Sequence, residues 1–171
     1  VVIMCCAERK VKDMSKPILM QFPLKGEWYS PNTPGSKIPS HGTNRYGTRY
    51  AYDFIQVDWT RKGWPAYRVS MMQYLIKGAA LEDGMVVVAE DGYAENKKTN
   101  LLTDVFKAYK NANYFDPYKD NIQCIAGNYM IIQYAKNVYA ALCHLQKDSV
   151  QVTVGQYVKA GDYVGNVGHS G

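Results

Sequence analysis

Histidine and cysteine are scarce in this chain of 171 residues, and the few present do not form the short-range pairs of a structural metal site. The four cysteines, Cys5, Cys6, Cys124 and Cys143, include no C-x-x-C pair, which excludes the common zinc-knuckle spacings. Adjacent Cys5 and Cys6 pair poorly with each other. In a chain long enough to build its own core, lone cysteines read as reduced and buried rather than as a disulfide framework. That reading points to a reducing compartment. No run reaches the ~18 apolar residues of a membrane span, so none is expected. Val1 to Ala7 is apolar but lacks a basic front and a cleavage signal, and is no clear signal peptide. Basic residues are scattered, with Lys97-Lys98 the only Lys-Lys pair. Without a basic stripe carrying aromatics, no nucleic-acid partner is expected. Repeats, coiled-coil heptads and low-complexity tracts are also missing.

What is present is ordinary for one globular domain: 47% hydrophobic residues, 20% charged and a net charge of +5. That charge suits plain solubility, and equally an anionic polymer. Fifteen tyrosines lean the composition toward β structure. Residues 1–13 read as an N-terminal extension adding little to the fold, and 14–171 as the domain. Strands are expected at Pro17–Phe22, Tyr50–Val57, Met85–Ala89, Asn128–Tyr134, Asn137–Leu145 and Val150–Val154, with a turn and strand over 158–164. Residues 60–80 are ambiguous. Asn100 is placed to cap a helix over about 101–112, where Leu101, Val105, Ala108 and Tyr109 repeat with helical spacing.

The three histidines are His41, His144 and His169. His41 lies in a Gly/Pro-rich loop, Asp53 on the strand that follows, and His144 near the end of another strand. An imidazole and a carboxylate on rigid elements can make two-thirds of a catalytic zinc site. Eleven residues separate His41 from Asp53, so spacing alone leaves open a surface histidine and a strand aspartate bonded to backbone amides. Alternation turns Cys143 away from His144, so Cys143 reads as core packing and not as a nucleophile.

The surrounding words add to this. Ser40-His41-Gly42-Thr43 followed by Arg49-Tyr50-Ala51-Tyr52-Asp53-Phe54 resembles the first motif of the LytM/lysostaphin-like zinc peptidases. Glu82 to Val87, Gly127 to Ile132, Tyr139 to Leu145, Val154 to Gly161 and Gly165 to Gly171 resemble further motifs of that family, in the family's order, from about Gln21 to the last residue. The resemblance implies a mostly antiparallel β-sandwich of the barrel-sandwich (duplicated hybrid motif) type with one inserted helix. It implies zinc as cofactor, His41 and Asp53 as two metal ligands, and His144 as a catalytic histidine. It implies hydrolysis of peptidoglycan cross-bridge peptides and a cell-wall-associated role. His169 matches no family ligand. The family's final Pro-His-x-His-Phe motif, source of a third ligand and a second catalytic histidine, is absent from these residues. Weak zinc binding, impaired activity and possible self-association at an open strand edge are therefore expected of the chain as given.

Two other classes stay open. Val154 to Val164 also resembles a turn of lipoyl, biotinyl and phosphocarrier domains, although Glu82-Asp83-Gly84 offers no lysine for a prosthetic group. A peptidase-like domain without catalysis, binding wall or protein partners through the same groove, is the other.

Overall fold

The computed structural model describes residues 2–7, 19–55, 77–80, 82–96, 106, 109–111, 114–116 and 118–171, with backbone alone for 2–7 and 77–79. Within these the chain is mostly β and its strand pairs are antiparallel. In chain order the strands are β1 (Val2–Ala7), β2 (Tyr52–Asp53), β3 (Lys77–Ala79), β4 (Gly84–Glu90), β5 (Asn128–Ala135), β6 (Val138–Leu145), β7 (Tyr157–Val158) and β8 (Tyr163–Asn166). A single helical turn, α1 (Gln123–Ala126), precedes β5. One sheet runs β2-β1-β6-β5-β4-β7, and β3 pairs with β8 in a second.

The centre of the large sheet follows from aliphatic content. β4, β5 and β6 are rich in Val, Ile, Leu and Ala, residues that suit a pleated, buried surface. β5 and β6 form a hairpin across Lys136-Asn137, and Asn137 takes φ +60, a conformation that asparagine tolerates better than most side chains. Alternation then sorts the side chains. Val86, Met130, Ile132, Ala140, Leu142 and Leu145 pack on one face with Val152, Val158 and Val164; Ala141 and Cys143 pack on the other with Ala126 of α1. Fully burying each larger aliphatic stabilises the fold by about 1.5–3 kcal/mol relative to exposure.

Several expected elements differ. Leu19 to Phe22 are not in a strand, and Pro17 and Ile18 lie outside the described residues. The strand expected over 50–57 shrinks to β2 with a lone bridge from Ile55 to Tyr29; residues 56 and 57 lie outside the described residues. Tyr52 and Phe54 share a side, their rings stacked 5.9 Å apart. Val150–Val154 is not a strand, because its amides take scattered acceptors. Val150 N–H bonds Asp91 Oδ2, Gln151 N–H bonds the Val164 carbonyl, and Thr153 N–H bonds Gln156 Oε1. Asp91 is a clamp here, since its carboxylate also accepts the amides of Gly92 and Asp148.

Phe106, Tyr109, Lys110, Asn111 and Tyr114 are helical, and the rest of the expected 101–112 helix lies outside the described residues. The largest departure is at the start of the chain. Val2–Ala7, read as part of an extension adding little, is a strand paired on both sides, to β2 and to β6. β6 therefore has no open edge; β5 covers one side and β1 the other. Among the described residues no helix is long and apolar enough to cross a membrane.

Candidate functional site

The loop before the 3-10 turn Arg45–Tyr50 delivers His41, and β2 delivers Asp53. Their side chains meet: His41 Nε2 lies 2.9 Å from Asp53 Oδ1. Both are largely covered, with 20% and 18% of their side-chain surface exposed, so the pair is shielded yet reachable from solvent. Asn32 steadies the acid twice. Its carbonyl accepts the Asp53 amide at 3.0 Å, and its Nδ2 donates to Asp53 Oδ2 at 2.6 Å. Burial raises the Asp53 carboxyl, but the hydrogen bonds from His41 and Asn32 and the nearby imidazole outweigh it and hold the group below its ordinary value.

On the far side of the ring, His41 Nδ1 lies 2.9 Å from Ser40 Oγ. Ser40 is fully buried. Its hydroxyl also reaches the Thr48 carbonyl at 2.9 Å, and its amide bonds the Arg49 carbonyl. The His41 ring is thus held from both nitrogens by residues the chain brings together locally.

His144 sits at an irregularity in β6. Asn128 pairs with Leu145 and Met130 with Leu142. Two steps along β5 therefore match three along β6, and Cys143 and His144 together oppose Tyr129. This is a β-bulge, with His144 at φ +58. The core confirms the count: Leu142 and Leu145 pack in one cluster although an odd number of positions separates them, and Cys143 packs in the other. Simple alternation, the expected reason for Cys143 and His144 to point apart, fails at this step. Cys143 is nonetheless core, its side chain wholly buried and its thiol pushed up to about 12 by that burial. A thiol that does not ionise is no nucleophile.

His144 Nδ1 lies 2.6 Å from the Ser170 carbonyl. A carbonyl only accepts, so Nδ1 carries the hydrogen and Nε2 of the neutral ring keeps its lone pair. Burial pushes the imidazole down to about 4, opposed by the Ser170 carbonyl and the Asp53 carboxylate, which favour the charged form.

The Ser170 carbonyl is itself fixed by a buried polar hub. Ser170 Oγ donates to the Leu145 carbonyl at 2.6 Å and accepts the Asn128 amide at 2.9 Å. Asn128, fully buried, accepts the Tyr93 amide through Oδ1 and donates through Nδ2 to the Tyr93 and Leu145 carbonyls. Asn96 holds the carbonyls of His169 and Gly171. His169 enters through its backbone, its amide bonded to Glu95 Oε2.

No family model, curated protein or solved structure matches this chain. The site must be judged on its own atoms. A tetrahedral zinc with nitrogen and oxygen ligands sets them roughly 3.4 Å apart by its bond lengths. His41 Nε2 and Asp53 Oδ1, at 2.9 Å, would part by about half an ångström to take such an ion. Partners at His41 Nδ1 and Asp53 Oδ2 already play the orienting part that metal ligands need. The two side chains are donors of a kind that a metal takes, one fewer than a catalytic zinc requires. Among the described residues no three His, Cys, Asp or Glu side chains gather around one point. Sequence reasoning named His41, Asp53 and His144 but missed Asn32 and Ser40. Ser40 was within reach, as a hydroxyl beside a histidine in the quoted motif; Asn32, in a turn cluster, gave no signal.

Proposed function

We propose that this chain carries a zinc-dependent endopeptidase-type site of the LytM/lysostaphin-like pattern, on a barrel-sandwich β architecture, acting on peptidoglycan cross-bridge peptides. The observation that supports it is the direct contact of His41 Nε2 with Asp53 Oδ1, across eleven intervening residues. Those two residues are the ones the family-like words mark as ligands. They would hold the ion. Zinc, when bound, brings water to a pKa of about 7 and polarises a scissile carbonyl. A catalytic zinc takes three protein ligands, and the third is not assigned among the residues described.

The chain's own contribution beyond the ligands is His144. Its neutral ring presents an unprotonated Nε2, which accepts a proton from the attacking water. The imidazolium so formed keeps the Ser170 carbonyl as acceptor for its Nδ1 hydrogen. Its depressed value makes it a ready donor to the leaving amine.

The test is zinc titration of the 171-residue chain and of D53A, with hydrolysis of a pentaglycine-type peptide by the native chain and H144A. Zinc binding lost in D53A, with cleavage lost in H144A, supports the reading. Equal, feeble zinc uptake by the native chain and D53A overturns it. Peptide binding with neither zinc nor cleavage marks the non-catalytic binding domain instead.

A further inference from the structure

We propose that Ser40 is the positioning residue of His41, a hydroxyl relay that switches the ring between bonding Asp53 and presenting a bare Nε2 to a divalent cation. The inference rests on the reading of His41 as a ligand.

The argument counts protons. Ser40 has one hydroxyl hydrogen and two partners that can take it, His41 Nδ1 and the Thr48 carbonyl, each at 2.9 Å. In one arrangement His41 is the Nε2–H tautomer. It donates to Asp53 Oδ1, and its Nδ1 accepts the Ser40 hydrogen. In the other, Nδ1 carries the hydrogen and donates to Ser40 Oγ, and the Ser40 hydrogen turns to the Thr48 carbonyl. Nε2 then has its lone pair free for a cation shared with Asp53.

Both arrangements keep the Ser40 hydroxyl and the Thr48 carbonyl satisfied; in the second, His41 Nε2 and Asp53 Oδ1 are both acceptors, and the cation between them takes the place of the lost hydrogen. When the Ser40 hydrogen leaves Thr48, that carbonyl still accepts the Ala51 amide at 3.2 Å. The pivot is held in place: the Ser40 amide bonds Arg49, and Thr48 Oγ1 donates to the Arg45 carbonyl at 2.7 Å. A buried hydroxyl with two alternative acceptors lets the ring change tautomer without orphaning a polar group, which would cost about 1–3 kcal/mol. Without that hydroxyl, the Nδ1–H form needed for ligation has a buried donor and no acceptor.

The experiment has two readouts on the full chain. Zinc affinity is measured by titration with zinc ion for the native chain, S40A, S40T, S40V and D53A. The His41 tautomer is read in zinc-free and zinc-loaded protein from ring nitrogen shifts, at about pH 9, well above the ordinary histidine range. Expected is a switch from Nε2–H to Nδ1–H on zinc loading of the native chain, and zinc binding about 10–100-fold weaker in S40A, the usual loss for an orienting partner. S40T and S40V have the same shape and differ in the hydroxyl alone. S40T binds zinc more tightly than S40V by a similar factor, which decides the matter even where S40A folds poorly. Native-like zinc affinity in S40A, or equality of S40T and S40V, overturns the relay while D53A still reports on the metal site. If D53A binds zinc as the native chain does, the ligand reading fails and the relay falls with it.

Discussion

Asp53 and Cys143 stand opposite the same residue, Val2, one on each side of the strand that separates them. β1 is therefore the ruler that sets the strand of Asp53 level with the bulge that carries His144. Cross-strand partners share a sheet face, so the acid and the bulge present toward the same side.

Removing residues 1–13 tests this. A six-residue strand paired along its length with β6, and at Val2 and Ile3 with β2, should contribute several kcal/mol, and a domain of this size loses roughly 2–4 °C of melting temperature per kcal/mol. A chain starting at Met14 is expected to melt about 10 °C lower. An unchanged midpoint would mean these residues are a mere extension.

The polar hub behind His144 should be costly to break. N128A leaves the Tyr93 amide and carbonyl without a side-chain partner and takes from the Leu145 carbonyl one of its two side-chain donors, Ser170 Oγ being the other. At about 1–3 kcal/mol for each buried group left unsatisfied, a loss of about 3 kcal/mol or more is expected in denaturant unfolding. N128D keeps the acceptor but sets a carboxylate against two carbonyls, and is expected to be at least as damaging.

Gly127 offers a second probe of the same corner. It sits at φ +64, and a Cβ there would collide with the Ser170 backbone and hydroxyl. G127A combines backbone strain with overpacking and should cost about 2–4 kcal/mol. By pushing the Ser170 carbonyl it should also shift the His144 ring resonances, which a remote destabilising change would leave alone.

Acid should reveal His144. Its folded value, about 4, lies below the ordinary 6.5, so the unfolded chain binds the proton first. Stability is unaffected above pH 6.5 and falls as pH drops from there toward 4, by at most about 3 kcal/mol. Asp53, held below its ordinary value, contributes stability that is lost only at still lower pH. H144Q should flatten the window between pH 6.5 and 4 and leave the lower one in place. A native chain equally stable at both ends of the upper window would contradict the lowered value of the His144 imidazole.

Thiol labelling separates fold from chemistry. Cys143 is wholly buried and its thiol does not ionise at neutral pH. A maleimide should reach it only on unfolding, when all four thiols are expected to react. Native-state labelling of Cys143, read by peptide mass, would show that its cluster opens.

Much of this was legible in the chain. Runs such as Met85-Val86-Val87-Val88 and Met130-Ile131-Ile132 leave little choice but buried strands, and β4, β5 and β6 follow from them. Val150–Val154 misled, because its aliphatic content is real and Val152 is buried, but its amides are divided between side chains of Asp91 and Gln156 and a single carbonyl of β8, at Val164, and form no ladder. Val2–Ala7 was discounted because apolar content at a terminus says nothing of the strands it will join. The His41–Asp53 contact came from resemblance to known words, since local spacing cannot bring two residues together across a loop. The bulge at His144 had no signal, as a positive φ on histidine depends on the partner strand.

That bulge divides β6 into two phases. Up to Leu142 the inward side chains fall on one count, and from Leu145 onward on the other. Losing one residue between them would match two steps on β6 to two on β5, which removes the bulge and leaves Leu145 facing its core. A single side chain would then oppose Tyr129 where Cys143 and His144 do now. The extra residue therefore serves the second side chain at this point and not the core, so a one-residue deletion here keeps the phase of the core and takes away one of the two.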